Sequence, residues 1–128
     1  MRALVKVLLP LALLLAVSAG AADDDRRVLK GRYEWTGGKS GALTAYFFPT
    51  DDSRTWKVEF RFEFHGPHLY TGTARGSLQE GDLSGEVVSD GRKRTFVFQG
   101  RFRDGKFSGT HTETTGGEEV RTGTMTLE

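Results

Sequence analysis

Near the C-terminus, His111, Glu113 and Arg121 bring an imidazole, a carboxylate and a guanidinium into one short stretch. Such a set can orient a proton, close an ion pair or hold the polar end of a ligand. An enzyme would also need a nucleophile or a recognisable catalytic frame. The chain has no cysteine, no Gly-x-Ser-x-Gly elbow, no phosphate-binding glycine loop and no His-Glu-x-x-His helix. Ser84 and Ser108 follow turns at equivalent places in a repeat, which strand geometry explains better than nucleophilic attack. His111 beside Glu113 would make an oriented base, yet an ion-paired rim presents the same two residues. Catalysis is the weakest reading, and no cofactor is implied.

A second chemical feature is the pair His65 and His68 around Gly66-Pro67. Paired imidazoles bind zinc or copper when they converge with further ligands. A turn carrying Pro67 does not force convergence, and no third ligand adjoins them in sequence. The expectation is two turn histidines without a metal.

Side chains act together only if the elements beneath them place them together. From Thr55 to His65, Trp56, Val58, Phe60, Phe62 and Phe64 alternate with Lys57, Glu59, Arg61 and Glu63, a period of two that specifies a strand. A helix would scatter those aromatics around its circumference. Turn signals recur at Gly37-Gly38, Thr50 to Ser53, Gly66-Pro67, Glu80-Gly81, Asp90-Gly91, Asp104-Gly105 and Gly116-Gly117, and seven turns separate eight strands. Gly76 to Gly85 matches Gly100 to Gly109 at an offset of 24 residues, so each copy reads as one hairpin.

Short turns make antiparallel neighbours. Eight such strands with one apolar face predict an all-β meander closed into an up-and-down barrel, because closure removes exposed edges. A two-sheet β-sandwich is the alternative. The predicted inward set is Tyr33, Trp35, Leu43, Phe47, Trp56, Val58, Phe60, Phe62, Phe64, Tyr70, Leu78, Leu83, Val87, Phe96, Phe98, Phe102, Phe107, Met125 and Leu127. The second strand is ambiguous, since Tyr46 and Phe48 compete with Leu43, Ala45 and Phe47 for the inner face.

Parity also sends seven glycines inward: Gly31, Gly72, Gly76, Gly85, Gly100, Gly109 and Gly123. Two explanations compete. They let coiled strands bend and leave room for neighbouring rings, or they hollow out a cavity. In the last hairpin the same parity turns His111, Glu113 and Arg121 inward and sets Glu113 roughly opposite Arg121, a favourable cross-strand pair.

Alternating strand direction then collects Trp35, Phe64, Tyr70, Arg94, His111, Glu113 and Arg121 at one barrel end. Aromatic walls with a few convergent polar groups are the composition of a ligand site, and a barrel mouth is a usual place for one. The site reading is a small amphiphilic or aromatic ligand held by Trp35, Phe64 and Tyr70 with its polar end at Arg121 and His111. Against it stands a purely structural reading, in which Glu113 and Arg121 close the barrel end.

The N-terminus reads as a signal peptide over residues 1–21, with Arg2 and Lys6 before an apolar run from Val7 to Val17 and small residues at Ala19 to Ala21. That run is too short to cross a bilayer and contains Pro10. Residues 22–27 form an acidic linker, and 28–128 a single β-barrel domain. The expected location is exported, periplasmic or secreted, with neither a disulfide nor a lipidated cysteine.

Removing Arg2 and Lys6 leaves 16 basic against 17 acidic residues, a balance that points to no nucleic-acid partner. Arg92, Lys93, Arg94, Arg101, Arg103 and Lys106 cluster in sequence and read as a solvated strand face.

Gly31 to Trp35 on the first strand, with Arg121 on the last, resembles lipocalins and other calycins, whose Gly-x-Trp strand packs against a late arginine. Here the tryptophan stands four residues after the glycine. The glycine-rich hairpins are also similar to those of small exported bacterial β-proteins. The resemblance implies an up-and-down barrel and suggests ligand binding. An exported small-ligand barrel is thus the leading expectation, and a structural or protein-interaction module of the cell envelope the alternative.

Overall fold

A computed structural model describes residues 25–91, 94–115 and 118–128, without the side chains of 119–121. The expected signal segment lies outside the described residues, as do Arg92, Lys93, Gly116 and Gly117. Eight strands follow one another: β1 (Arg27–Trp35), β2 (Ser40–Pro49), β3 (Thr55–Glu63), β4 (Pro67–Gly76), β5 (Gly81–Ser89), β6 (Thr95–Arg103), β7 (Lys106–Thr115) and β8 (Glu118–Leu127). Each pairs antiparallel with the next, and β8 returns to β1, so the meander is a closed barrel and not a sandwich.

Closure rests on the register from Gly31 opposite Leu127 to Trp35 opposite Gly123. A Cβ at Gly31 would sit 1.7 Å from the Thr126 carbonyl oxygen, and one at Gly123 1.9 Å from that of Glu34. Bare backbone is what lets these coiled strands approach at the seam. Inside, a Cβ at Gly100 or Gly109 would strike the Phe107 ring at 2.7 Å. These inward glycines make space for rings that occupy it, and they do not hollow the barrel.

The period-two reading places the core well. Phe47, Phe98, Phe102, Phe107, Leu83, Leu127, Val58 and Val87 are the largest fully buried side chains. On β2, Leu43, Ala45 and Phe47 win the inner face, and Tyr46 and Phe48 point away from it. Leu29 and Ala74, outside the predicted inward set, also belong to the core, and Ala45 joins it from the strand left ambiguous. Trp35, Trp56 and Phe62 are only partly buried, packed against the core near the barrel ends. Phe64 has left the ladder, because β3 stops at Glu63 and His65 and Gly66 turn the chain with φ of 55° and 119°.

The two repeat copies diverge at their turns. Asp104 and Gly105 both take positive φ, 54° and 77°, the demand of a two-residue type I′ hairpin. In the earlier copy the chain leaves the ladder at Gly76, and Leu78 folds into the core from the connection. The Glu80 carboxylate then accepts a hydrogen bond from the Asp104 backbone N–H at 3.0 Å, tying the two turns together. Asp90-Gly91 opens a longer connection, closed where Ser89 N–H donates to the Arg94 carbonyl at 3.0 Å.

Candidate functional site

The connections β1–β2, β3–β4, β5–β6 and β7–β8 share one end of the barrel, and the opposite end is filled by Leu78, Phe102 and Phe107. At the first end, the register sets Glu113 of β7 between Phe96 of β6 and Arg121 of β8. The backbone register therefore puts Arg121 opposite Glu113; its side chain lies outside the described residues. An ion pair that parity did not anticipate joins Glu113 to Arg94, with Nε 3.3 Å from Oε2. Arg94 precedes β6, so no strand alternation assigned its direction. The Glu113 side chain is 4% exposed and that of Arg94 49%, so the pair joins a buried anion to a guanidinium half in water.

Tyr70 of β4 completes this group. Burial pushes its phenol above the ordinary range, partly offset by the Arg94 guanidinium beside it. The hydroxyl therefore stays protonated at neutral pH. It stands among rings, 4.8 Å between centroids from Phe96 and 5.3 Å from Phe62.

His111 sits one inward step below Glu113 and is buried. Its ring meets Trp35 edge-on at 4.4 Å and 83° and lies 5.9 Å from Phe96. The strand register aligns His111, Gly123 and Trp35 across β7, β8 and β1, and the missing Cβ of Gly123 gives the imidazole its room. Burial holds its pKa below the ordinary value, against the opposing pull of the Glu34 and Thr124 carbonyls. Nε2 reaches no hydrogen-bond partner of good geometry among the described residues. The imidazole packs as part of the aromatic wall, held towards its neutral form.

Three spaces follow one another from this end inward. The outermost is an open recess of about 470 Å³ between the β3–β4 and β5–β6 connections, bordered by Phe64, His68, Tyr70, Ser89 and Arg94. Phe64, His68, Tyr70 and Arg94 also line a slot of about 20 Å³ with Trp35 and Phe96. Beneath it lies an apolar void of about 40 Å³, walled by Trp35, Phe60, Phe98 and Met125, with His111 as its nitrogen-bearing side. One water needs roughly 10–15 Å³ by this measure, so the void has room for only a few atoms.

The structure thus gathers Trp35, Phe64, Tyr70, Arg94, His111 and Glu113, but splits them in two. Phe64, Tyr70 and Arg94 face the recess; Trp35 and His111 close the lumen below. The residue missed from the sequence is His68, read as a surface histidine. Its ring stacks on Phe62 at 5.2 Å and 14°, and its Nε2 lies 2.7 Å from the Phe64 carbonyl oxygen. The inward parity of Pro-His68-Leu-Tyr70 on β4 was the available signal. His65 stays exposed, and no group of three His, Asp or Glu suited to a metal occurs among the described residues.

The basic cluster is no single patch either. Arg94 stands at the open end; Arg101 pairs with Asp82 at 3.2 Å and Lys106 with Glu128 at 3.5 Å towards the other end. The chain matches no protein-family description, no curated protein and no solved structure.

Proposed function

We propose that this is an exported binding protein that holds a small aromatic or amphiphilic molecule across the open end of its barrel. The observation that carries the reading is the recess of about 470 Å³, where the rings of Phe64, His65, His68 and Tyr70 meet one half-exposed guanidinium. Ligand sites commonly span about 300–1,000 Å³ and combine apolar walls with few polar groups. Phe64, His68 and Tyr70 supply the walls, and Arg94 and Ser89 the polar groups. The lumen is no container at about 40 Å³. The ligand therefore lies outside Trp35 and His111, a departure from a carrier that encloses its cargo. Export rests on the basic, apolar and small-residue pattern of residues 1–21.

The filled lumen favours a second reading, a structural or protein-interaction module of the cell envelope. Its candidate outer surface is small. Tyr46 is covered by the guanidinium groups of Arg26 and Arg61, 5.8 and 4.9 Å from the ring centroid, which leaves Val28 and Val97 as the exposed large apolar residues among those described.

Titrating short fatty acids, indoles and phenols while following tryptophan fluorescence and melting temperature separates the two. Saturable binding that Phe64→Ala weakens supports the recess. No saturable signal from any ligand up to millimolar concentration overturns it in favour of the structural module.

A further inference from the structure

The charge of the bound molecule follows from what surrounds Arg94, if the recess binds a ligand as proposed above. Among the described residues bordering the recess, Arg94 is the permanently charged one, and none is acidic. Its guanidinium is tethered at one edge, where Nε lies 3.3 Å from Glu113 Oε2. Half of the side chain remains in solvent; the guanidinium also donates to the Tyr70 hydroxyl oxygen, and its remaining terminal N–H groups are what an incoming molecule would meet.

Any molecule that fills the recess must strip water from that exposed half. An uncharged ligand offers the guanidinium at most neutral acceptors, whose hydrogen bonds are roughly half as strong as those of an anion, and a purely apolar one leaves the N–H groups desolvated and unmatched. An ammonium ligand would face a like charge, and the carboxylate that could attract it is buried beneath Arg94. A carboxylate restores the lost hydrogen bonds two at a time, because its oxygens match the spacing of the guanidinium fork. The Tyr70 hydroxyl, kept protonated by its burial, stands beside the same guanidinium as a further donor. Phe64 and His68 border the recess 6.5 Å apart between centroids and tilted by 39°; the Lys39 ammonium covers one face of Phe64 and Phe62 one face of His68, so a flat apolar body would meet their other faces.

We infer that the ligand is a small aromatic carboxylate, with its anion on the Arg94 fork and its ring against Phe64 and His68. Glu113 acts as a positioning residue that holds the guanidinium at the rim.

The test is a calorimetric comparison of phenylacetate, 2-phenylethanol and 2-phenylethylamine on the unmodified protein at low ionic strength. These probes share a ring and a two-carbon arm and differ in charge. Phenylacetate should bind about tenfold or more tightly than the other two, and Arg94→Met should erase that preference. Because the comparison uses the unmodified protein, it stands whatever the variant does to folding. Competition of inorganic phosphate with phenylacetate would support the anion contact. Equal binding of the alcohol and the carboxylate would overturn this inference and leave the recess as a ligand site. Failure of all three, together with the fatty acids, indoles and phenols, would remove both.

Discussion

The edge of the His111 imidazole stands against the Trp35 indole, 4.4 Å between centroids, at the point where the barrel interior closes. The contact exists because Gly123, which lies between them in the sheet, carries no side chain. Above it lies the open recess; below it the lumen is filled. One aromatic pair therefore separates the part of this barrel that can meet a ligand from the part that holds the fold together.

That pair makes stability depend on pH. Burial holds the folded pKa of His111 below the ordinary histidine value of about 6.5, so the unfolded chain binds more protons as pH falls through that value. The neutral imidazole's stabilisation is complete above about pH 7.5 and is lost progressively below about 6.5. The melting temperature should drop between pH 7.5 and 5, and His111→Leu should flatten the drop over that window. An unchanged slope in the variant would mean that other groups set the acid sensitivity.

Gly123→Ala should destabilise the protein by about 1–3 kcal/mol or more, since its Cβ would lie 1.9 Å from the Glu34 carbonyl oxygen and 2.8 Å from His111 Nε2. The matched control is Gly37→Ala, where a Cβ would meet nothing within 4 Å, and the change should stay within about 0.5 kcal/mol. Urea unfolding of both variants measures the difference.

Leu78 sits in the connection between β4 and β5 yet is 4% exposed. Leu78→Ala should cost about 2–5 kcal/mol, the cost of a core residue and not of a loop residue. A loss below about 1 kcal/mol in chemical denaturation would show that this end of the barrel is not sealed by it.

The Arg94 and Glu113 pair should show coupling in a double-mutant cycle of Arg94→Met and Glu113→Gln, about 0.5–2 kcal/mol by thermal or urea unfolding. The half-exposed guanidinium keeps this below the value of a fully buried pair. Raising the salt concentration should reduce it only in part, because Glu113 is shielded from solvent.

Much of the architecture was legible in the residue order, and particular residues show why. The alternation from Trp56 to Phe62 specifies a strand with an inner and an outer face, because a strand has only two faces and only one reaches the core. The opposition of Glu113 and Arg121 needs more than parity, because the turn pairs Thr115 with Glu118 and Thr114 with Glu119, and only a register shift between Glu113 and Thr114 brings Arg121 rather than Val120 opposite Glu113. On β2 the same rule fell silent, since Leu43 to Phe48 is apolar in both phases. There the neighbouring strand decided, by pairing Leu43 with Phe62 and Phe47 with Val58.

By itself, then, the sequence determined eight strands, their antiparallel order, most of the core and the barrel end at which polar and aromatic groups collect. Local periodicity and turn chemistry act between near neighbours, so they can be read along the chain. Only the tertiary structure decided that the lumen is filled, that Arg94 reaches Glu113, and that His68 and Phe64 border an outer recess. Those outcomes depend on side-chain volumes meeting across the barrel and on residues in turns, whose directions no strand period assigns.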